Sequence, residues 1–262
     1  ATVQHALQRL EALGLIEARP RSGFYARAAA SMVAGGPQPS VLITGNLTPP
    51  RPVNVSELLL DIMRRSAAFD ILPQHHRGDL PVGIVSLNRA IGRALRRQRG
   101  EDYLYYDDPA GLPALREQLA LMLARRGCRV TAAGLAVTSG CQHALFLALM
   151  ACCQRGDVVA VESPGFYGTM QLLEQLGLQV IEIPASVRTG MDPEALAAAL
   201  QQWPIRACIL SPCFATPGGA LMPEAHRQRL LALADAHDLA LIEDDIYADT
   251  AFTAAPDPLK AL

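Results

Sequence analysis

The sequence predicts an α/β fold, in which a mostly parallel β-sheet is covered by helices and is preceded by a small helix-and-hairpin unit. Strand and helix signals alternate from about residue 111 to residue 244, which is typical of parallel strands joined by crossover helices. The 262-residue chain is half apolar and has a net charge of −2, so it can bury a large core. This balance excludes a basic nucleic-acid coat protein and an acidic disordered chain.

The composition also bears on localisation and on metal binding. No apolar run reaches the roughly 18 residues that a membrane span needs, and no secretory signal is visible, so we expect a cytoplasmic protein without a membrane partner. The six cysteines lack paired spacing, which favours reduced thiols. His75 and His76 have no third ligand at a suitable spacing, so no metal site is predicted.

The first 27 residues form a unit of their own. Apolar residues at helical spacing predict a helix that Gly14 ends, and two short runs around a turn at residues 20–23 predict a β-hairpin. A helix followed by a basic hairpin is the second half of a winged helix, although any small helix-and-hairpin unit has a similar composition. Thr2, Arg19 and Arg21 are the candidate DNA-contacting residues, because a cationic wing suits phosphate or minor-groove contact.

The rest of the chain divides into a linker and one larger domain. Residues 28–53 are rich in Ala, Gly, Pro and Ser and predict an interdomain linker, which leaves residues 54–262 for the α/β domain. The predicted elements of this domain are a helix at 113–126, a strand at 135–138, a helix at 142–154, a strand at 158–162, a helix at 166–176, a strand at 179–183, a helix at 193–202, a strand at 207–211, a helix at 223–237 and a strand at 240–244.

A candidate anion site lies between a predicted strand and a predicted helix. Ser139, Gly140, Cys141 and Gln142 combine free N–H groups at a helix N-terminus with a hydroxyl and with a glycine that permits close approach. The same turn could serve only to cap the helix. Cys141 also has two interpretations, a thiol whose pKa is lowered by the helix start or an inert small residue.

An acid and a phenol follow the last predicted strand. Asp244 and Tyr247 lie where ligands bind in open α/β sheets, at the carboxyl ends of the strands. The pair suits a cationic heteroaromatic ring with a phenolate, as in pyridoxal 5'-phosphate, because a carboxylate keeps the ring nitrogen protonated. Alternatively, Asp244 only caps a turn. Phe166, at another strand-to-helix turn, either stacks on a flat cofactor or covers the sheet edge.

The order of these motifs resembles that of the fold-type I aminotransferases. The matching residues are Tyr105-Tyr106, Gly111, Leu115-Arg116, Ser139-Gly140, Pro164-Gly165-Phe166, Pro217-Gly218-Gly219, and Asp244 with Tyr247. The first 27 residues resemble the end of the winged-helix head of GntR-type regulators. Together on one chain, the two parts resemble the MocR subfamily, in which such a head is fused to an aminotransferase-like domain.

The resemblance implies how the phosphate of the cofactor and the partner subunit are contacted. Ser139, Gly140, Cys141 and Gln142 would hold the phosphate. Proteins of this fold dimerise across their active sites, so a homodimer is implied, with Tyr105 or Tyr106 in the part of the site that faces the partner.

The resemblance also implies how the ring is held. Phe166 would stack on it, Asp244 would pair with its nitrogen, and Tyr247 would bond its phenolic oxygen. Thr216 stands where many members have an asparagine that bonds the same oxygen, and a hydroxyl reaches less far than an amide.

The lysine that forms the Schiff base in this family has no counterpart in the sequence. Lys260 is the only lysine, and it follows Tyr247 too soon. The resemblance places the family's lysine beyond Leu262, so no catalytic residue is expected in this chain. We expect the sequence to be a fragment of a longer protein, shortened at both ends.

These expectations support three functional hypotheses for the parent protein. The first is a DNA-binding transcription regulator that binds pyridoxal 5'-phosphate and senses an amine or vitamin B6. The second is an active aminotransferase that acts on an amino acid and whose head is only structural. The third is a module that holds the cofactor non-covalently.

Overall fold

The computed structural model describes residues 7, 10–11, 16–19, 23–26, 47–53, 82–97, 106, 108–254 and 256–262. The predictions for Thr2, Arg21, Tyr105 and the histidine pair at residues 75–76 lie outside the described residues. The chain divides into two compact units, residues 1–42 and residues 43–262, and each is described by itself.

The smaller unit contains the predicted hairpin. Strands β1 (Ile16–Arg19) and β2 (Gly23–Ala26) pair antiparallel, with Arg19 opposite Gly23. The described residues before the hairpin, at positions 7, 10 and 11, are helical, as the apolar spacing predicts. Arg19 therefore ends the first strand, directly before the turn.

The larger unit is built on a sheet of six strands. These are β3 (Arg51–Pro52), β4 (Val158–Ser163), β5 (Gln179–Ser186), β6 (Gly190–Met191), β7 (Ile205–Leu210) and β10 (Ala240–Glu243). The order is β10-β7-β4-β5-β3, with β6 beside β5. The strands β10, β7, β4 and β5 run parallel to their neighbours, whereas β3 and β6 are antiparallel to β5. Two further strands, β8 (Cys213–Ala215) and β9 (Ala220–Leu221), form a separate hairpin.

The described helices begin and end where the local sequence favours it. They are α1 (Val82–Arg97), α2 (Pro113–Ala124), α3 (Cys141–Cys152), α4 (Tyr167–Leu176), α5 (Pro193–Gln202) and α6 (Glu224–His237). Prolines start α2 and α5, where a missing N–H costs nothing, and the Asp192 side chain caps α5 by accepting from the Glu194 N–H at 3.0 Å. Gly177 ends α4 in the left-handed conformation.

Two apolar cores cover the two faces of the sheet, because successive strand residues point to opposite faces. Val158 and Ala160 of β4 pack in the core that contains residues of α5 and α6. Val159 and Val161 pack in the other core, with residues of α3 and α4. The predicted α/β sheet with helices on both faces is therefore confirmed. Among the described residues, no helix is long and apolar enough to cross a membrane.

One predicted element is wrong. Residues 135–138 do not form a strand; they follow a 3₁₀ turn at Ala132–Gly134 and join no ladder with any described residue. An extended segment becomes a strand only when a neighbouring strand takes its N–H and C=O groups. Here the Val137 N–H instead donates to the carbonyl of Ala110 in a loop, at 2.8 Å.

Candidate cofactor site

A pocket of about 320 Å³ lies at the carboxyl edge of the sheet, beside the N-terminus of α3. It brings together all of the residues predicted to contact the cofactor, which are Ser139, Gly140, Cys141, Gln142, Phe166, Thr216, Asp244 and Tyr247. Leu145, Ser211 and Ile246 complete the lining and were not among the residues predicted to contact the cofactor. Arg19, the described candidate for DNA contact, lies in the smaller unit.

The start of α3 presents backbone N–H groups without a side-chain cap. Gly140 is the N-cap residue, with φ of 93°, and no atom lies within 4 Å of the place where a Cβ would stand. The Ser139 N–H already donates to Nδ1 of His143 at 3.2 Å. The first N–H groups of a helix have no intrahelical acceptor, so those after Gly140 can donate to an anion.

A glycine brings the starts of α3 and α4 together. A Cβ at Gly168 would lie 2.2 Å from Nε2 of Gln142 and 2.4 Å from Cε1 of Phe166, so no larger residue fits there without rearrangement. Phe166 packs against Tyr167 with ring centroids 4.8 Å apart and a tilt of 52°. The close approach places the Phe166 ring in the same pocket as the candidate anion site at residues 139–142, which we call the anion cup.

Asp244 is held by the backbone and lies against Cys141. Its N–H donates to the Leu210 carbonyl at 2.9 Å, which ties it to the end of β7. Its Oδ1 accepts from the Ile246 N–H at 3.2 Å, and Sγ of Cys141 lies 3.9 Å from the same oxygen. Burial and the negative charge of Asp244 raise the pKa of the Cys141 thiol, so the structure contradicts the hypothesis of a lowered pKa.

Asp245, the next residue, lines an adjoining cavity that also contains Asp244 and Cys141, but not the pocket itself. It forms an ion pair with Arg126, and that hydrogen bond raises the pKa of the Arg126 guanidinium. Asp245 does not line the pocket, whereas Asp244 does. The assignment of the ring-nitrogen contact to Asp244 rather than to Asp245 stays a prediction.

Glu162 is a buried acid that the sequence analysis missed. The side chain, at the end of β4, accepts from the Ser211 N–H at 3.1 Å and from the Met191 N–H at 3.3 Å. Burial raises the pKa of its carboxyl to about 7, against the two backbone hydrogen bonds, which lower it. A charged residue within the apolar run of β4 was the available signal.

Lys260 does not line the pocket. It lies in the 3₁₀ turn Leu259–Ala261, where the Leu259 N–H donates to Oε1 of Glu243 at 2.9 Å. The described residues therefore supply an anion cup, a ring face, an acid and a phenol, but no amine within the pocket. This donor set fits pyridoxal 5'-phosphate held by non-covalent contacts. Within the described part of the chain, no three His, Cys, Asp or Glu side chains gather closely enough to hold a metal ion.

Curated relatives match nearly the whole chain. The uncharacterized HTH-type transcriptional regulator YjiR of Escherichia coli (strain K12) is 40% identical over 98% of this chain and 54% of its own length. YdcR of the same organism, also an uncharacterized HTH-type transcriptional regulator, is 32% identical over 99% of this chain and 55% of its own length. The chain thus spans about half the length of these relatives. They confirm the resemblance to regulators of the MocR type.

The larger unit also resembles solved aminotransferases. The α-aminoadipate aminotransferase LysN from Thermus thermophilus, complexed with N-(5'-phosphopyridoxyl)-L-leucine, is 31% identical, with a TM-score of 0.55 over 60% of this chain and 39% of that one. A double mutant of the Thermus thermophilus aspartate aminotransferase is 25% identical, with a TM-score of 0.63 over 81% of this chain and 55% of that one. The predicted aminotransferase fold is confirmed by these structures.

A family model covers most of the α/β domain. Residues 78–261 match the family described as aminotransferase class I and II, which includes all of the pocket-lining residues. Members of this family depend on pyridoxal 5'-phosphate, so the predicted cofactor is confirmed for the family. The chain belongs to the class I and II aminotransferase family.

Proposed function

We propose that this chain is part of a DNA-binding transcription regulator whose aminotransferase-like domain binds pyridoxal 5'-phosphate and senses an amine or vitamin B6. The observation that supports it most directly is the pocket that gathers the anion cup, the Phe166 ring, Asp244 and Tyr247. The relatives that match the chain from end to end are HTH-type regulators, which supports a regulatory rather than a purely metabolic role.

Each residue of the pocket has a defined task in this proposal. The N–H groups at the start of α3 bind the phosphate, and Gly140 leaves the room that its close approach requires. Phe166 orients the ring by stacking on one face. Asp244 accepts the ring N–H and stabilises its positive charge. When bound, the cofactor supplies an electron sink for reactions at the α-carbon of an amino acid.

The phenolic oxygen of the bound cofactor would accept hydrogen bonds from two hydroxyl groups. Tyr247 donates to the phenolic oxygen, and Thr216 donates from the turn after β8. Two donors favour the ionised phenolate over the phenol, because a charge-assisted hydrogen bond is stronger than a neutral one. The pocket would thus hold a zwitterionic ring, with Asp244 accepting a hydrogen bond from the protonated nitrogen and the two hydroxyl groups donating to the phenolate.

The cofactor part of the proposal can be tested with this chain. We expect pyridoxal 5'-phosphate and pyridoxamine 5'-phosphate, which has no aldehyde, to bind with affinities within about tenfold of each other, because the contacts are non-covalent. Isothermal titration calorimetry measures both. Reduction with borohydride followed by peptide mapping should leave Lys260 unmodified.

Two results would contradict these expectations separately. Failure of both ligands to bind would remove the cofactor proposal. A stoichiometric phosphopyridoxyl group on Lys260 would instead show that this lysine reaches the pocket.

The regulatory part of the proposal is that the complete protein is a cytoplasmic homodimer that binds DNA through the unit containing the hairpin. In the complete protein, Thr2, Arg19 and Arg21 would contact DNA, and Arg19 ends β1 directly before the hairpin turn. Replacing Arg19 and Arg21 by alanine should weaken binding to all DNA sequences alike and reduce the slope of log affinity against log salt by about 2, because two phosphate contacts are lost. An unchanged slope would exclude the two arginines from phosphate contact.

The second candidate function is an active aminotransferase acting on an amino acid. The match to the aminotransferase family and the likeness to LysN favour it. The complete protein distinguishes the two: an aminotransferase converts an added 2-oxo acid with many turnovers, whereas a sensor changes its DNA affinity when an amine is added and shows few turnovers.

A further inference from the structure

Glu162, in β4, is hydrogen-bonded to two further segments of the sheet and lines a small cavity next to the pocket. Its carboxylate accepts from the N–H of Met191 in β6 and from the N–H of Ser211 directly after β7, at 3.3 and 3.1 Å. The side chain is 7% exposed, and a cavity of about 30 Å³ beside it is also lined by Thr216 and Asp244. Glu162 has no role in the contacts assigned to the cofactor.

The backbone of β7 joins Glu162 to Asp244. The Ser211 N–H donates to Glu162, and the carbonyl of the preceding residue, Leu210, accepts the Asp244 N–H at 2.9 Å. The Leu210–Ser211 peptide therefore lies between the two acids and is hydrogen-bonded to both. A change in the hydrogen bond between Glu162 and this peptide would therefore alter the bond that the peptide carbonyl accepts from the Asp244 N–H.

The two carboxylates also interact through space. The negative charge of Asp244 raises the pKa of Glu162, in addition to the larger effect of burial, and the pKa is about 7. Burial, followed by the charge of Glu162, raises the pKa of the fully buried Cys208 thiol of β7, which therefore stays neutral. From β5 and α4 the neighbours are Ile183 and Thr169, which have no charge.

We propose that Glu162 is a positioning residue that responds to the charge at Asp244, releasing its proton to solvent when a cation is placed against Asp244. This inference rests on the proposed binding of a pyridinium ring in the pocket. A cation beside Asp244 cancels the charge that favours protonated Glu162, so binding and proton release are coupled. An ionised Glu162 then accepts more strongly from the Ser211 N–H and tightens the anchor of Asp244.

The first experiment needs no cofactor and measures the midpoint of urea unfolding between pH 5 and pH 8. The pKa of Glu162 is higher in the folded chain, at about 7, than its ordinary value of 4.5, so the folded state binds more protons in this window. Glu162 therefore makes wild-type stability fall as pH rises towards 7. Glu162→Gln should remove the contribution of Glu162 to this decrease in stability. Asp244→Asn removes the nearby negative charge and so lowers the pKa of Glu162, which should shift that contribution to lower pH.

Glu182→Gln is the matched control. Glu182 lies on the adjacent strand, faces the other side of the sheet, and accepts from Ser163 and Arg51 at 3.0 and 2.8 Å. This variant should retain the wild-type pH profile. A Glu162→Gln profile identical to wild type, or an Asp244→Asn profile that does not shift, would overturn the proposal. If Glu162→Gln does not fold, the Asp244→Asn profile decides alone.

The second experiment counts protons when pyridoxal 5'-phosphate binds. Calorimetry at pH 7 in two buffers of different ionisation enthalpy should show that wild type releases more protons than Glu162→Gln, by a fraction of the roughly half proton that a group with a pKa near 7 carries there, because the charge of Asp244 is the smallest cause of that pKa. Glu182→Gln should match wild type. Equal proton counts in wild type and Glu162→Gln would overturn the coupling, whereas absence of binding to wild type would instead contradict the proposed function.

Discussion

Asp244 and Asp245 are neighbours in the sequence but belong to two regions that use charge in opposite ways. Asp245 has a cationic partner: Arg126 forms an ion pair with it and also donates to the Pro256 carbonyl at 3.0 Å. Around Asp244, the described residues supply an N–H and a thiol but no cation. A half-buried carboxylate without a cationic partner is suited to an incoming cation.

The region around Asp245 contains one fully buried charge and two that are mostly buried. Arg227 is 1% exposed and donates to the Asp257 carbonyl, and burial, followed by the charge of Asp245, raises the pKa of the Cys213 thiol to about 11. Oδ1 of Asp245, Nε of Arg126 and Nη1 of Arg227 are buried without a hydrogen-bond partner among the described residues. Removal of one charge would therefore leave the others uncompensated, which makes this region structural.

The largest predicted effect concerns the Arg126–Asp245 pair. Arg126→Ala or Asp245→Ala should each lower the free energy of unfolding by up to about 3 kcal/mol, because a charge whose side chain is only about one fifth exposed loses its partner. Urea unfolding measures the loss. The double variant Arg126→Met with Asp245→Leu should be more stable than either single variant, since it removes both charges. Single variants as stable as wild type would show that the ion pair does not contribute to the free energy of unfolding.

A smaller effect is expected at Asp244, and on a different quantity. Asp244→Ala should weaken the binding of pyridoxal 5'-phosphate roughly 100-fold, because a hydrogen bond between charged groups is worth about 1.5–3 kcal/mol. Its unfolding free energy should change less than that of Asp245→Ala, since Asp244 has no described ion pair. Calorimetric titration and urea unfolding of the same two variants test the comparison directly.

The comparison fails if the two acids exchange roles. Equal losses of cofactor affinity in Asp244→Ala and Asp245→Ala, or a larger loss at Asp245, would contradict the assignment of the ring-nitrogen contact to Asp244. The affinity of Asp245→Ala must be calculated per folded molecule, because the expected loss of stability increases the unfolded fraction, which does not bind the cofactor.

The sequence predicted those parts of the molecule that depend on local pattern. The apolar runs of β4, β7 and β10 and the proline-started helix α5 lie within two residues of where the patterns placed them. The strand at residues 135–138 failed because pairing, rather than local propensity, decides whether an extended segment joins a sheet. The pocket gathered every predicted contact residue because turns after parallel strands meet at one edge.

The parts that sequence reasoning missed depend on distant contacts. Arg126 and Asp245 are 119 positions apart, and Glu162 is 49 positions from Ser211 and 29 from Met191. No spacing rule connects such residues. What distinguishes the two adjacent acids physically is the partner that the fold brings to each, and only the three-dimensional structure shows that partner.

The smallest predicted effect concerns Thr216, and it tests the view that the pocket holds its ligand by a few polar contacts. Thr216→Val keeps the shape of the side chain but removes the hydroxyl, so it should weaken binding of pyridoxal 5'-phosphate by roughly fivefold, as expected for one neutral hydrogen bond of about 1 kcal/mol. Thr216→Asn should strengthen binding by a similar factor, because the amide N–H extends further towards the phenolic oxygen. Thr216→Ser, which retains the hydroxyl, is the control and should stay close to wild type in the same calorimetric titration. If Thr216→Asn binds no better than Thr216→Val, the side chain at this position does not reach the ring oxygen, and Tyr247 holds that oxygen without help from the turn after β8.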